Sequence, residues 1–508
     1  MPNTQTVYHF LLVLLAAAAV SWSCGGQTGE DARSGTDPVF RDEPVVRVLI
    51  LDTTESITLT PHDDWKLTSE GQSEFRGPGD GPLELSAVSG IIRISLLENR
   101  GSTSTVDMQP EMLTFEGVRD FATLTIRDVP YGVGWWWEGK EDREYEGVIR
   151  IHGVDGERLQ VVVELPLERY LKGVVPYEIG GDSPLEALKA QAVAARSEAV
   201  RALTTRLYSG PHYDLTSDVQ SQVFSGNIRR TEASDRSVDE TVALILSENG
   251  QPVNAYYASN CGGHSELVRN VWPDRPDPLT YHSALTDSDD RNLLDLSTEE
   301  RLREWISSEP EVFCNPDLEP GLPEWSRANF RWQRTFTGDE ISKMVSAGID
   351  RKRLSAGKDI EQSGSSQGDT DDQRTQDAQG DTCDQTAHDT QDGITKSGRY
   401  PSDYGRLTGI VPLKRGPSGR MYEARFDFER DSFIVTGELA IRQLFMPPLR
   451  SAAFVTDRDG DTWNLNGAGW GHGVGMCQSG AVAQALQGRD FIAILGHYYP
   501  DTQIIKSY

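Results

Sequence analysis

From Ser183 the chain spaces Leu188, Ala192, Ala195, Ala199 and Leu203 at steps of three and four, which predicts a long helix with one apolar face. Ser183-Pro184-Leu185-Glu186 opens it as a capping box with proline at the first helical position. Many of the other positions are alanine, so a neighbouring element can pack closely against it. Around this helix the sequence is β-like. Val45–Leu51, Ile91–Leu97 and Leu159–Leu165 are short apolar runs broken by Gly, Pro and Asp. Residues 242–258 read as a hairpin with Asn249-Gly250 at its turn. Strand-like runs resume at Arg406–Leu413 and Tyr422–Phe428, and Gln478–Tyr499 reads as helical after a glycine-rich turn. The expected class is α+β, rich in strands. With 508 residues, 37% of them apolar, the chain can build one large or two medium cores.

Residues 356–398 are Gln, Asp, Ser, Thr and Gly with almost no large apolar side chain, and predict a disordered stretch. The net charge of −29 excludes a nucleic-acid partner, because a phosphate backbone requires a basic face. Phe10–Val20 is too short to cross a bilayer as a helix and suits the apolar region of an export signal. Ser21-Trp22-Ser23-Cys24-Gly25-Gly26 follows, which makes Cys24 a candidate for lipidation. The chain is therefore expected to be exported, to the periplasm or cell envelope. Apart from Cys24 it has Cys261, Cys314, Cys383 and Cys477, which in an oxidising compartment can pair in three ways.

Glu178 stands out chemically. From the residues alone it lies in a short linker after an apolar strand, Gly173-Val174-Val175, and just before the capped helix. A carboxylate so placed can sit on a cleft floor, where burial raises its pKa and a helix N-terminus lowers it. Position alone favours a solvated loop glutamate. His472, within Gly469-Trp470-Gly471-His472-Gly473-Val474-Gly475, is the next candidate: a hydrogen-bonded histidine of a structural turn, or a grip on sugar hydroxyls beside Trp470. Trp135-Trp136-Trp137 can form a carbohydrate platform or a half-buried strand edge.

Three segments together resemble the SpoIID/LytB family of sporulation protein D and amidase-enhancer proteins. They are Leu165–Leu203 (LPLERYLKGVVPYEIGGDSPLEALKAQAVAARSEAVRAL), Asp214–Gly226 with Tyr256–Glu266 (YYASNCGGHSE), and Gly467–Ala481 (GAGWGHGVGMCQSGA) followed by His497–Ile504. The resemblance covers about residues 140–275 and 400–505. It implies that Glu178 matches the family's proposed catalytic acid, although the turn after it reads Ile179-Gly180-Gly181-Asp182 where the family has Met-Pro. It further implies substrate-binding roles for Gln222, Ser259, Gly262, Gly263, His264, Trp470, His472 and Gln478. Some relatives hold zinc at positions that here are Ser209, Leu215 and Ser221, so that site is absent and no cofactor is expected. A substitute zinc set of Cys261, His264, His472 and Cys477 competes with a Cys261–Cys477 disulfide, and the disulfide is the expectation.

The implied organisation is a signal over 1–24, a tether over 25–40 and a β-rich N-terminal region over 41–140. The first part of the SpoIID/LytB domain follows at 141–290, an insertion at 291–405 and the domain's second part at 406–508. The implied function is that of a lytic transglycosylase cleaving peptide-stripped glycan strands of peptidoglycan, with Glu178 as single acid and base. The alternative is a non-catalytic protein that binds the wall and enhances an N-acetylmuramoyl-L-alanine amidase.

Overall fold

The computed structural model describes residues 38–508, except 70–72, 78, 80, 98–102, 109–111, 118–121, 134–137, 274–283, 291–293, 356–359 and 363–403. The export signal, Cys24, the tether up to residue 37, the tryptophan triplet Trp135–Trp137, Cys383 and nearly all of the expected disordered stretch lie outside the described residues. Ile360–Gln362 of that stretch is described, and pairs as a strand with Phe433–Val435.

The architecture is α+β and rich in strands, as the alternation of short apolar runs implied. One sheet orders its strands Leu215–Thr216, Val45–Thr53, Arg158–Pro166, Val148–Val154, Met112–Gly117, Trp65–Ser69 and Ser73–Gly77. Val45–Thr53 runs antiparallel to Arg158–Pro166 with Val48 opposite Val163, and both side chains are fully buried. A second sheet holds Gly139–Glu146, Thr123–Tyr131, Ile57–Pro61, Leu83–Val88, Ile91–Leu97 and Thr103–Met108. Alternate residues of both sheets join one apolar core that also takes in the helices described next.

Arg158–Pro166 leads straight into helix α1, Leu167–Ile179. Here the structure corrects the sequence reading: Gly173-Val174-Val175 is helical, not a strand. Leu167, Tyr170, Leu171, Val174 and Val175 are all buried, and their steps of three and four are those of a helix face. Helix α2, Leu185–Thr205, follows, but its start is not the expected capping box. Pro184 is the N-cap and no side chain caps the helix. The Ser183 hydroxyl instead donates to the Ile179 carbonyl at 2.6 Å, satisfying the end of α1 rather than the start of α2. Every residue of α2 from Ala190 to Val200 is buried, so the alanines accept neighbours on all sides rather than along one stripe.

A buried ion pair locks α1 to α2. Arg196 Nε and Nη2 donate to the two oxygens of Glu168 at 2.9 and 2.7 Å, and Arg196 also reaches the Leu244 carbonyl at 3.1 Å. The hairpin is present: Leu244–Glu248 pairs with Gln251–Pro252 across Asn249 and Gly250, whose φ values of 51° and 78° are those its turn type requires.

A second core collects Trp332, Phe336, Ile341, Val345 and Ile349 with Phe426, Phe433 and Leu465. Strand Arg331–Thr337 pairs with Thr462–Ala468. Residues 331–355, assigned from sequence to an insertion, are thus built into the same core as residues 407–465. The C-terminal helical segment is two helices, α3 (Gln478–Leu486) and Phe491–Tyr498, separated where Gly488 takes a φ of 85°. No helix among the described residues is long and apolar enough to cross a membrane.

Candidate active site

Glu178 is the penultimate residue of α1 and is half-buried. The Val223 backbone N–H donates to its Oε1 at 3.0 Å. Burial pushes its carboxyl from 4.5 up to about 7, against the Val223 N–H and a hydrogen bond with the Tyr257 side chain, both of which favour the charged form. Its place at a helix C-terminus acts in the same direction as burial, because the dipole there disfavours an anion. The sequence reading had expected the opposite influence, from the N-terminus of the following helix.

The Glu178 surroundings are polar and ordered. Tyr170 Oη donates to Gln222 Oε1 at 3.2 Å, and Gln222 Nε2 donates to the Ala195 carbonyl at 3.0 Å, so Gln222 ties α1 to α2. Tyr170 and Tyr257 are both pushed far up by burial, and each feels the charges of Glu178 and of Glu198, a buried carboxylate on α2. Tyr170, Tyr257 and Glu198 were not singled out in the sequence. Glu198 falls within the helix expected from Ser183 and Tyr257 within the expected hairpin, while Tyr170 was given no element of its own.

The glycine-rich segment is brought alongside. Tyr257-Ala258 pairs in parallel with Met476-Cys477, and Gly475, at φ 74°, lies so close to Tyr256 that an added Cβ would overlap the Tyr256 carbonyl. Asn260 and Trp470 exchange backbone hydrogen bonds at 3.2 and 2.8 Å. Successive side chains of an extended segment point to opposite sides. Tyr257 reaches Glu178, while the Tyr256 ring stacks on Trp272, 4.8 Å between centroids. His472 packs on the same tryptophan at 4.8 Å and accepts the Val474 N–H on Nδ1 at 3.0 Å. His472 and Trp272 therefore form a half-buried aromatic wall on the other side of the strand that carries Tyr257.

Several expected binding residues have structural partners. Gln478 Nε2 donates to Gln191 Oε1 on α2 at 3.1 Å, both residues being buried. Ser259 accepts from the Ser479 hydroxyl through its carbonyl at 2.8 Å and from Asn329 through its hydroxyl at 3.2 Å. Gly262 and Gly263 have positive φ and press against Ala468 and Trp305. His264 is 1% exposed, is pushed down to about 4 by burial, and is engaged through Nδ1 with the Ser265 carbonyl at 2.8 Å. That environment keeps it neutral and away from solvent.

The expected Cys261–Cys477 disulfide is not formed: Cys261, Cys314 and Cys477 are three free, buried thiols. Cys261 and Cys477 are nonetheless neighbours, with the Cys261 N–H 3.2 Å from Cys477 Sγ, and Cys314 Sγ lies 3.8 Å from Cys261 Sγ. Asp287 completes the group. The carboxyl of Asp287 is pushed up to about 8, by burial first and then by Cys477. A cleft of about 740 Å³ beyond it is lined by Thr286, Ser288, Trp305, Val312, Phe313 and Gln487, and does not include Glu178.

Comparison with known proteins addresses the same region. Residues 155–247, which span α1, α2 and Gln222, match the family model described as stage II sporulation protein. The chain is 26% identical over 337 residues to the amidase enhancer of Bacillus subtilis, and 24% identical over 367 residues to stage II sporulation protein D of the same organism. Over this region the chain is similar to the SpoIID/LytB family. Those alignments cover 66% and 68% of this chain and 40% and 77% of the respective relatives. An uncharacterised protein of Brachyspira hyodysenteriae is 38% identical over 112 residues, 22% of this chain and 30% of that protein. The chain thus spans well under half of two of these relatives. A second model, described as a domain of unknown function, matches residues 378–475. The SpoIID match takes in Glu178 and stops before the glycine-rich segment.

Proposed function

We propose that this SpoIID/LytB protein is a cell-envelope enzyme that cleaves the glycan strands of peptidoglycan as a lytic transglycosylase, preferring strands already stripped of peptide. The observation that carries the reading is Glu178: a half-buried carboxyl poised at about 7, so that both of its protonation states are populated near neutrality. Protonated, it donates to the glycosidic oxygen as the bond to the muramyl C1 breaks. The resulting carboxylate then takes the proton from the C6 hydroxyl of that muramyl unit, whose oxygen closes on C1 to give a 1,6-anhydro ring. No water attacks, so the two-carboxylate arrangement of ordinary glycosidases is not needed. The Val223 N–H and Tyr257 steady the carboxylate between the two transfers. The SpoIID match and the names of the relatives support an envelope location and a wall substrate. The test is incubation of the purified chain with peptide-free glycan strands, with mass spectrometry of the products for anhydro-muramyl ends.

The likeness to an amidase enhancer favours a second reading, in which the protein binds the wall and stimulates an N-acetylmuramoyl-L-alanine amidase without cutting glycan. In that case no anhydro ends form, and an added amidase releases stem peptides faster in its presence.

A further inference from the structure

Cys261, Asp287, Cys314 and Cys477 each offer one ligand atom, all four side chains are buried, and these atoms lie within 4.8 Å of one another. We infer that these four residues form a closed, structural zinc site, separate from Glu178 and from the positions Ser209, Leu215 and Ser221 at which some relatives hold zinc.

The geometry distinguishes a metal from a disulfide. A tetrahedral zinc with Zn–S of about 2.3 Å has its sulfurs about 3.8 Å apart. Cys261 Sγ and Cys314 Sγ are separated by 3.8 Å, whereas a disulfide requires about 2.05 Å. Three mutually close thiols are also an awkward set for oxidation, since any one disulfide strands the third sulfur in a dry core. Ligand atoms this near one another enclose one ion and leave no room for a multinuclear iron–sulfur cluster.

The surroundings are those of a metal's outer shell. Asp287 is held from both sides: the Cys314 N–H donates to its Oδ2 at 3.1 Å and the Tyr498 hydroxyl to its Oδ1 at 2.7 Å. Residue 480, in the first turn of α3, has to be glycine, because a Cβ there would meet the Tyr498 hydroxyl and come within 2.5 Å of Asp287 Oδ2. Cys477 receives the Cys261 N–H. Three thiolates and a carboxylate around a divalent ion carry two net negative charges. The Arg331 guanidinium offers the opposite charge nearby, with its donors going to the carbonyls of Gly262, Trp305, Ile306 and Phe330 at 3.0–3.2 Å.

With four protein ligands and no open position the ion does not act on substrate. It ties the turn at Cys261 to the entry of α3, 216 residues later, and so sets the register of the Tyr257–Met476 pairing that presents Tyr257 to Glu178. Binding releases the protons still held by the thiols and by Asp287.

The test uses the full chain prepared in reducing, chelator-free buffer and exposed to zinc sulfate, then dialysed. Elemental analysis should find one equivalent of zinc per chain. Replacement by cobalt(II) should give intense visible ligand-field bands with a sulfur-to-cobalt charge-transfer band, the signature of a tetrahedral thiolate site. Cys314→Ser and Asp287→Asn should lower zinc retention at least tenfold, while Cys383→Ser should leave it unchanged. Should the variants fail to fold, the cobalt spectrum of the parent still decides. A parent chain that retains no zinc and gives no such spectrum, or one whose unreduced peptides contain a disulfide among Cys261, Cys314 and Cys477, overturns the inference.

Discussion

The backbone N–H of Val223 donates to Glu178 while the side chain of its neighbour, Gln222, bridges Tyr170 of α1 and the Ala195 carbonyl of α2. One dipeptide therefore both holds the candidate acid and fixes the two helices that frame it. Gln222→Leu removes one buried hydrogen bond from the Tyr170 hydroxyl and one from the Ala195 carbonyl. The expected loss is about 1–3 kcal/mol of stability, read from a denaturant midpoint. A variant as stable as the parent would show that Gln222 is not a structural bridge.

The stability of Glu178→Gln should depend on pH in a way that reveals the wild-type carboxyl. Burial raises Glu178 from 4.5 to about 7, so the folded state disfavours its ionised form. The stabilising side of this linkage is fully present below pH 4.5 and is lost as pH rises through about 7. At ~1.4 kcal/mol for each pH unit between the two values, the full cost in the wild type reaches up to about 3 kcal/mol. Gln keeps the acceptor for the Val223 N–H and carries no charge. Melting curves should therefore show Glu178→Gln more stable than the parent at pH 8 and similar to it at pH 4.5. Equal stability at both pH values would mean that the carboxyl is not perturbed.

Tyr257→Phe removes a hydrogen bond that favours the Glu178 carboxylate. The Glu178 pKa should then rise further, and the alkaline limb of the pH–rate profile for strand cleavage should move to higher pH. An unmoved limb would separate Tyr257 from the acid's titration.

Arg196→Ala strips the partner from Glu168 in a buried pair, to which Ala243 and Tyr508 also donate. Such a loss costs about 3–5 kcal/mol. Arg196→Met with Glu168→Leu, which removes both charges, should recover much of that in the same urea titration.

Much of the fold was legible because its signals are local. The Asn249-Gly250 turn, the alternating strands and the alanine-rich helix each follow from neighbours a few residues apart. Gly173-Val174-Val175 was misread as a strand because its β-branched residues outweighed a helical spacing that only Leu167, Tyr170 and Leu171 complete. Glu178 was legible through family resemblance rather than position. The polar group around it was not, since Tyr170, Glu198 and Tyr257 are assembled by packing between α1, α2 and a strand. Cys314 and Asp287 join Cys261 and Cys477 for the same reason: no sequence spacing connects residues 53 and 216 positions apart. His264 and Gln478 look like binding residues by motif, yet their side chains are spent on holding the fold.

The most direct measurement is product analysis of peptide-free glycan strands treated with the parent chain and with Glu178→Gln at equal concentration. The account predicts anhydro-muramyl ends from the parent and a rate lower by about 10²–10⁴ from the variant, with strand binding retained, because only the proton transfers are lost. Anhydro ends released by Glu178→Gln at the parent rate would contradict it.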